Sequence, residues 1–215
     1  MNRTCGDEAR EAARIIREGG VIVYPTETLY GIGCDPWNRA AVERVLLMKQ
    51  RPQSRTMLLL ADSRGMVEDR FGALDKLSSK LAEAFWPGLL TLVFRPSAGC
   101  PDYLCGPSGG VAVRVTAHPL CAEIIGEFGG PIVSTSANLM GEPPALSFKD
   151  ADELFGREAD MVLGGPRVRG RTRNDKDGEL MTRTPSTIVD TVSGALRCIR
   201  EGTVPFALIR EAARR

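Results

Sequence analysis

Apolar residues recur along this chain in two rhythms, and each change of rhythm marks a predicted element. Ala9, Ala12, Ala13, Ile15 and Ile16 form a helical stripe, with Asp7 placed to cap the helix and Gly19-Gly20 to stop it. Val21-Ile22-Val23-Tyr24 opens a buried strand over 21–25. Asn38 is placed to cap a second helix that turns Val42, Val45 and Leu46 inward and ends before Pro52. "TMLLLA" (56–61) reads as a strand, and helices follow near 63–70 and 75–85 before Trp86-Pro87-Gly88 breaks the pattern.

"LLTLVF" (89–94) and "VAVRV" (111–115) read as strands joined by a loop rich in glycine, proline and cysteine. "HPLCAEIIGEF" (118–128) is amphipathic and ends at Gly129-Gly130; "PIVSTSAN" (131–138) is a strand running into small polar residues. A helix near 148–156, strands near 160–163, 186–190 and 196–200, and a helix near 205–214 complete the chain. This alternation predicts a single α/β domain over 1–215, built on a twisted, mixed and mostly parallel sheet flanked by helices.

Composition narrows the function classes. The chain has 215 residues, 43% of them hydrophobic, and a net charge of +1, so no global field draws it to nucleic acid or membrane. No apolar run approaches the ~18 residues of a membrane span. The charged start "MNRTCGDEAR" lacks a signal-peptide core, and six scattered cysteines lack a Cys-x-x-Cys pair, so reduced thiols and a cytoplasmic location are expected.

Familiar catalytic signatures fail on context. Gly31-x-Gly33-x-x-Pro36 has proline where a dinucleotide turn needs its third glycine. The glycines of 165–172 have P-loop spacing, but arginine replaces the lysine and no helix is predicted after them. Asp175-x-Asp177-Gly178-Glu179 lacks the ligand spacing of a calcium loop. His118, the only histidine, precedes a proline at a predicted helix start, where capping or packing is its expected role; no Gly-x-Ser-x-Gly elbow accompanies any serine.

What remains is a dispersed set of cations and hydroxyls. Lys49 and Arg51 stand at the end of the second helix with Arg55 four residues on, a set that serves either the helix dipole or a polyphosphate. Ser134, Thr135, Ser136 and Asn138 fall where a parallel strand should end, the usual ligand side of an α/β sheet, although such residues also cap helices.

Taken together the blocks "YPTETLYGIG" (24–33), "KQRP" (49–52), "VAVRV" with His118-Pro119, "STSAN" (134–138), "PSTIVD" (185–190) and "IREG" (199–202) resemble the YrdC-domain family of threonylcarbamoyl-AMP synthases. They occur in family order across nearly the whole chain. The resemblance implies an α/β fold around a basic concave cavity. It also implies that ATP, L-threonine and bicarbonate, with magnesium, give threonylcarbamoyl-AMP and pyrophosphate for modification of tRNA adenosine 37. By matching position, Lys49 and Arg51, the catalytic pair, would hold ATP with Arg55, Ser136, Asn138 and Arg200. Thr26, Arg114, Ser134 and Ser186 would recognise threonine. Magnesium would arrive on ATP, without a dedicated metal site in the protein. A tRNA or double-stranded RNA contact and a downstream tRNA threonylcarbamoyl transferase are the implied partners, and no membrane.

The sequence departs from the family pattern in two places. Thr56-Met57 follows Arg55 where proline and leucine are usual, and the segment 164–184 is longer than usual and carries Arg167, Arg169, Arg171, Arg173 and Lys176. The extra C-terminal domain of longer relatives is not expected here. Two other readings stay open: an RNA-binding module without adenylating activity, and an adenylating paralogue acting on another small amine.

Overall fold

A computed structural model describes residues 5–50, 57–97, 99–165, 182 and 184–214. The helices are α1 (Cys5–Arg17), α2 (Arg39–Met48), α3 (Arg64–Phe71), α4 (Lys76–Phe85), α5 (Pro119–Phe128), α6 (Phe148–Phe155) and α7 (Phe206–Arg214). The strands are β1 (Ile22–Pro25), β2 (Tyr30–Gly33), β3 (Leu58–Ala61), β4 (Leu90–Phe94), β5 (Val111–Val115), β6 (Ile132–Val133), β7 (Thr135–Ser136), β8 (Met161–Val162), β9 (Thr187–Asp190) and β10 (Arg197–Arg200).

Local chemistry sets most helix ends where the sequence puts them. Asn38 caps α2 by accepting from the Ala41 amide, and Ser63 and Asp75 cap α3 and α4 in the same way. Gly129, left-handed at φ 83°, closes α5. Asp7 does not cap: α1 begins upstream of it, and Asp7 lies in the first turn bonded to Arg10 at 2.7 Å. His118 is the N-cap residue of α5 but makes no side-chain cap bond, and it is buried.

The strands form two sheets, ordered β7-β2-β1-β8 and β10-β9-β4-β5-β3-β6. In place of the one expected sheet there are two; both are mixed, as expected, but the expected parallel majority is absent. Of eight described pairings, only β1–β8, β3–β5 and β4–β9 are parallel, and five are antiparallel. The reason is connection length. β1 returns as β2 through the four-residue turn Thr26–Leu29, and β4 reaches β5 without a crossover helix, so both pairs are antiparallel.

Period-two alternation divides the core. From Val21 into β1, Val21 and Val23 face the larger apolar cluster while Ile22 and Tyr24 face a smaller one; in β3, Leu59 and Ala61 divide from Leu60 in the same way. Helices α1 and α5 cover the smaller cluster through Ala9, Ala12, Ile16, Leu120, Ile124 and Ile125. On β5, Val111, Val113 and Val115 enter the larger cluster, which leaves Ala112 and Arg114 on the opposite face. Among the described residues, no helix is long and apolar enough to cross a membrane.

"PIVSTSAN" is not one strand. β6 pairs with β3 in the six-stranded sheet, and two residues later β7 pairs with β2 in the four-stranded sheet. Ser134 sits at the crossing, its amide donating to Leu58 O at 2.8 Å, while Ala137 N donates to Tyr30 O at 2.8 Å. The polar segment therefore bridges two sheets instead of ending a parallel strand.

Candidate functional site

The crossing and the Thr26–Leu29 turn enclose a cavity of about 170 Å³ between the sheets. The four-stranded side contributes Thr26, Tyr30, Gly31 and Ser136; the other contributes Leu58, Arg114, Ser186, Ile188 and Arg200, with Ser134 between them. Ligand pockets for drug-sized molecules run to about 300–1,000 Å³, so this hollow suits something nearer an amino acid than a whole nucleotide.

All four residues expected at a threonine site line the cavity. Thr26 Oγ1 donates to Leu29 O at 2.7 Å and accepts from the Thr28 and Leu29 amides, so its proton is spent in closing the turn. Ser186 Oγ shares a 2.9 Å hydrogen bond with Thr91 Oγ1, and Ser186 O accepts from Arg200 Nη2 at 2.8 Å. Partial burial lowers the Arg200 pKa below its ordinary value.

Arg114 is 3% exposed. Its Nη1 lies 2.9 Å from Glu27 Oε2, yet the two atoms are not aligned as a hydrogen bond. Glu27 Oε1 accepts from Thr116 Oγ1 at 2.8 Å and from Ala117 N at 2.7 Å. Burial pushes the Glu27 carboxyl upward, but the Arg114 charge and the hydrogen bonds it accepts outweigh that and hold it below its ordinary value. Sequence reasoning gave Glu27 no role. Its only signal was a carboxylate inside an otherwise apolar and hydroxyl-bearing stretch.

The expected phosphate residues gather one layer away. Lys49, the C-cap of α2, is buried and donates to Ser136 O, to Asn138 O at 2.9 Å and to Asn138 Oδ1 at 3.0 Å. Ser136 Oγ also donates to Asn138 Oδ1, at 2.6 Å. Asn138 Nδ2 fixes the following turn through Leu139 O and Glu142 O, both at 2.9 Å. Because Ser136 also lines the cavity, the two groups of residues are contiguous. Arg51 and Arg55, and the arginine-rich stretch from Arg167 to Lys176, lie outside the described residues. Among the described ones, Lys49, Arg114 and Arg200 stand as three cations against the single carboxylate of Glu27, a balance that favours an anionic ligand.

Gly202, in "IREG", packs against the Pro185–Ser186 wall so closely that an added Cβ would stand 2.7 Å from the Ser186 carbonyl carbon. Gly202→Ala should displace that wall, lowering stability by about 1–3 kcal/mol as overpacking does. A melting curve beside a ligand titration checks this; unchanged values in both would mean the wall has room to yield.

Comparison with known proteins adds to this geometry. Residues 14–202 match the family model for Sua5, YciO and YrdC proteins, whose description reads telomere recombination. This chain belongs to that family. A protein of Stenotrophomonas maltophilia (strain K279a) named threonylcarbamoyl-AMP synthase is 43% identical over 156 residues, covering 72% of this chain and 84% of its own. One of the same name from Methylococcus capsulatus (strain ATCC 33009 / NCIMB 11132 / Bath) is 39% identical and covers 90% of this chain and 98% of its own. Among solved structures, P. abyssi Sua5 complexed with L-threonine superposes with a TM-score of 0.84 at 30% identity over 98% of this chain. The match spans 58% of that Sua5 chain, so the relative is considerably longer. E. coli YciO, 23% identical with a TM-score of 0.78 over 93% of this family member and 91% of its own chain, shares the fold.

Proposed function

We propose that this chain is a threonylcarbamoyl-AMP synthase, making threonylcarbamoyl-AMP and pyrophosphate from L-threonine, bicarbonate and ATP for threonylcarbamoylation of tRNA adenosine 37. One observation carries the reading. A buried arginine, Arg114, lines a hollow of amino-acid size among hydroxyls, with the Lys49–Ser136–Asn138 cluster on its border. Relatives bearing that name match 72% and 90% of the chain, which supports it.

The division of labour follows from the chemistry of each group. The Arg114 fork suits the threonine carboxylate, and Ser134 and Ser186 suit its amine and hydroxyl. Thr26 shapes the turn that walls the pocket. Lys49, Arg51, Arg55, Ser136 and Asn138 take the triphosphate and Arg200 contacts the nucleotide, with Lys49 and Arg51 neutralising charge as it develops on phosphate oxygens. Bicarbonate takes up a proton and loses water to give CO₂, and threonine's amine adds to that CO₂ and loses a proton to give a carbamate. A carbamate oxygen attacks the α-phosphorus, the bond to the β-bridging oxygen breaks, and pyrophosphate leaves. The nucleophile thus belongs to the substrate. The protein aligns reactants and excludes water, an arrangement able to supply about 7–11 kcal/mol of the barrier.

Magnesium enters as MgATP. Among the described residues, no group of three or more His, Cys, Asp or Glu is placed to hold a metal ion. The product passes to a tRNA threonylcarbamoyl transferase in the cytoplasm, with a tRNA contact at the basic rim of the hollow.

The test is incubation with MgATP, bicarbonate and radiolabelled threonine, followed by separation of a labile threonyl adduct of AMP and assay of pyrophosphate. Both products without RNA are expected. Tight RNA binding with no pyrophosphate would replace the reading with a binding module, and pyrophosphate with another amine alone would make the chain a paralogue.

A further inference from the structure

Glu27 divides its two carboxylate oxygens between two tasks. Oε1 is fixed by Thr116 Oγ1 and the Ala117 amide, on the segment that carries the chain from β5 into α5. Oε2 forms an ion pair with Arg114 Nη1 at 2.9 Å, outside regular hydrogen-bond alignment, so the pair is held by charge. Both side chains are nearly enclosed, at 4% exposure for Arg114 and 12% for Glu27. The carboxylate comes from the β1–β2 turn on one wall and the guanidinium from β5 on the other.

An arginine side chain alone has many rotamers and must surrender them when it grips a ligand. A buried guanidinium without a counter-charge is also costly to maintain before the ligand arrives. A carboxylate that is itself hydrogen-bonded in place removes both difficulties. Building on the synthase reading, we propose that Glu27 is a positioning residue for substrate recognition: it holds Arg114 in the cavity wall in the orientation that receives the amino acid's carboxylate. The alternative for so close an acid is competition, in which Glu27 occupies the guanidinium that the substrate needs. The two act in opposite directions on affinity.

Glu27→Gln separates them, because the amide keeps an oxygen for Thr116 and Ala117 while its NH₂ cannot attract Arg114. Threonine is compared with threoninol, whose carboxylate is replaced by a primary alcohol, by calorimetry on the full chain together with steady-state KM values. The expected result is a threonine affinity about tenfold or more weaker, a KM for ATP within about twofold of wild type, and a threoninol affinity unchanged. The preference for threonine over threoninol therefore collapses. Equal weakening of both ligands makes Glu27 merely structural and overturns the proposal. Tighter threonine binding overturns it in favour of competition. Should Glu27→Gln not fold, Glu27→Asp gives the same ratio, since the shorter acid cannot reach Arg114 and Thr116 together. Wild-type protein that forms no pyrophosphate and ignores threonine removes the synthase reading, and this role with it. Wild-type binding with an unaltered ratio in the variants removes this role alone.

Discussion

Lys49→Met lowers pyrophosphate formation by about 10²–10³-fold, the usual cost of losing one preorganised group at a site of developing charge. Methionine keeps the apolar stem of a side chain that is 3% exposed, so the loss reports the ammonium and not a cavity. The variant also leaves Ser136 O, Asn138 O and Asn138 Oδ1 without the donor they share. A buried acceptor left unsatisfied costs about 1–3 kcal/mol, so the melting temperature falls as well. Threonine binding, which the proposed reading assigns to Arg114, stays near the wild-type value. Undiminished turnover at saturating MgATP would take Lys49 out of the phosphate site.

Arg114→Leu is expected to be the more damaging change. It strips Glu27 of its counter-charge while the carboxylate stays buried, and breaking a buried pair in this way costs about 3–5 kcal/mol. Loss of the fork proposed to bind the threonine carboxylate costs a further 2–5 kcal/mol or so of threonine binding, at least about a thirtyfold drop in affinity. Acid titration adds an independent mark. In the wild type Glu27 is held below its ordinary carboxyl value of 4.5, so the unfolded chain takes up this proton at higher pH than the folded one. The stability that Glu27 contributes is therefore full above 4.5 and is lost as pH falls through the lower folded value. Without Arg114 the charge that most opposes burial's upward push is gone and the Glu27 carboxyl rises, so the variant loses less stability between neutral pH and pH 4 than the wild type does. Chemical denaturation at several pH values measures the difference; parallel losses would mean that Arg114 does not govern Glu27.

Elements defined by local chemistry were readable in the sequence. Asn38 and Gly129 mark helix ends because caps act within a few residues, and the helices read near 63–70 and 75–85 begin at the structural caps Ser63 and Asp75. Thr26, Arg114, Ser134, Ser136, Ser186 and Arg200 meet at one cavity, and Lys49 and Asn138 stand beside it. That grouping was expected from the ordered family blocks, since no spacing rule joins residues so far apart. Strand direction was not readable. The alternation of strands with helices suggested a parallel majority, but Thr26–Leu29 closes a hairpin without the Asn-Gly or Asp-Gly pair that announces one. The role of Glu27 was hidden for a related reason, because its partners Arg114 and Thr116 lie almost ninety residues downstream. The split of "PIVSTSAN" has the same origin. Ile132 and Val133 look like the start of a longer strand until β3 and β2 claim opposite ends of it.

That split limits how the pocket can evolve. Much of the wall near Ser134 is main chain stitched to Leu58 on one side and to Tyr30 on the other. A hollow lined only by side chains can be enlarged by trimming them one at a time, but this wall recedes only if two sheets separate. New substrate preferences in such a scaffold would have to be carved from the facing surface, where Leu58 and Ile188 can each be shortened without cutting a backbone tie.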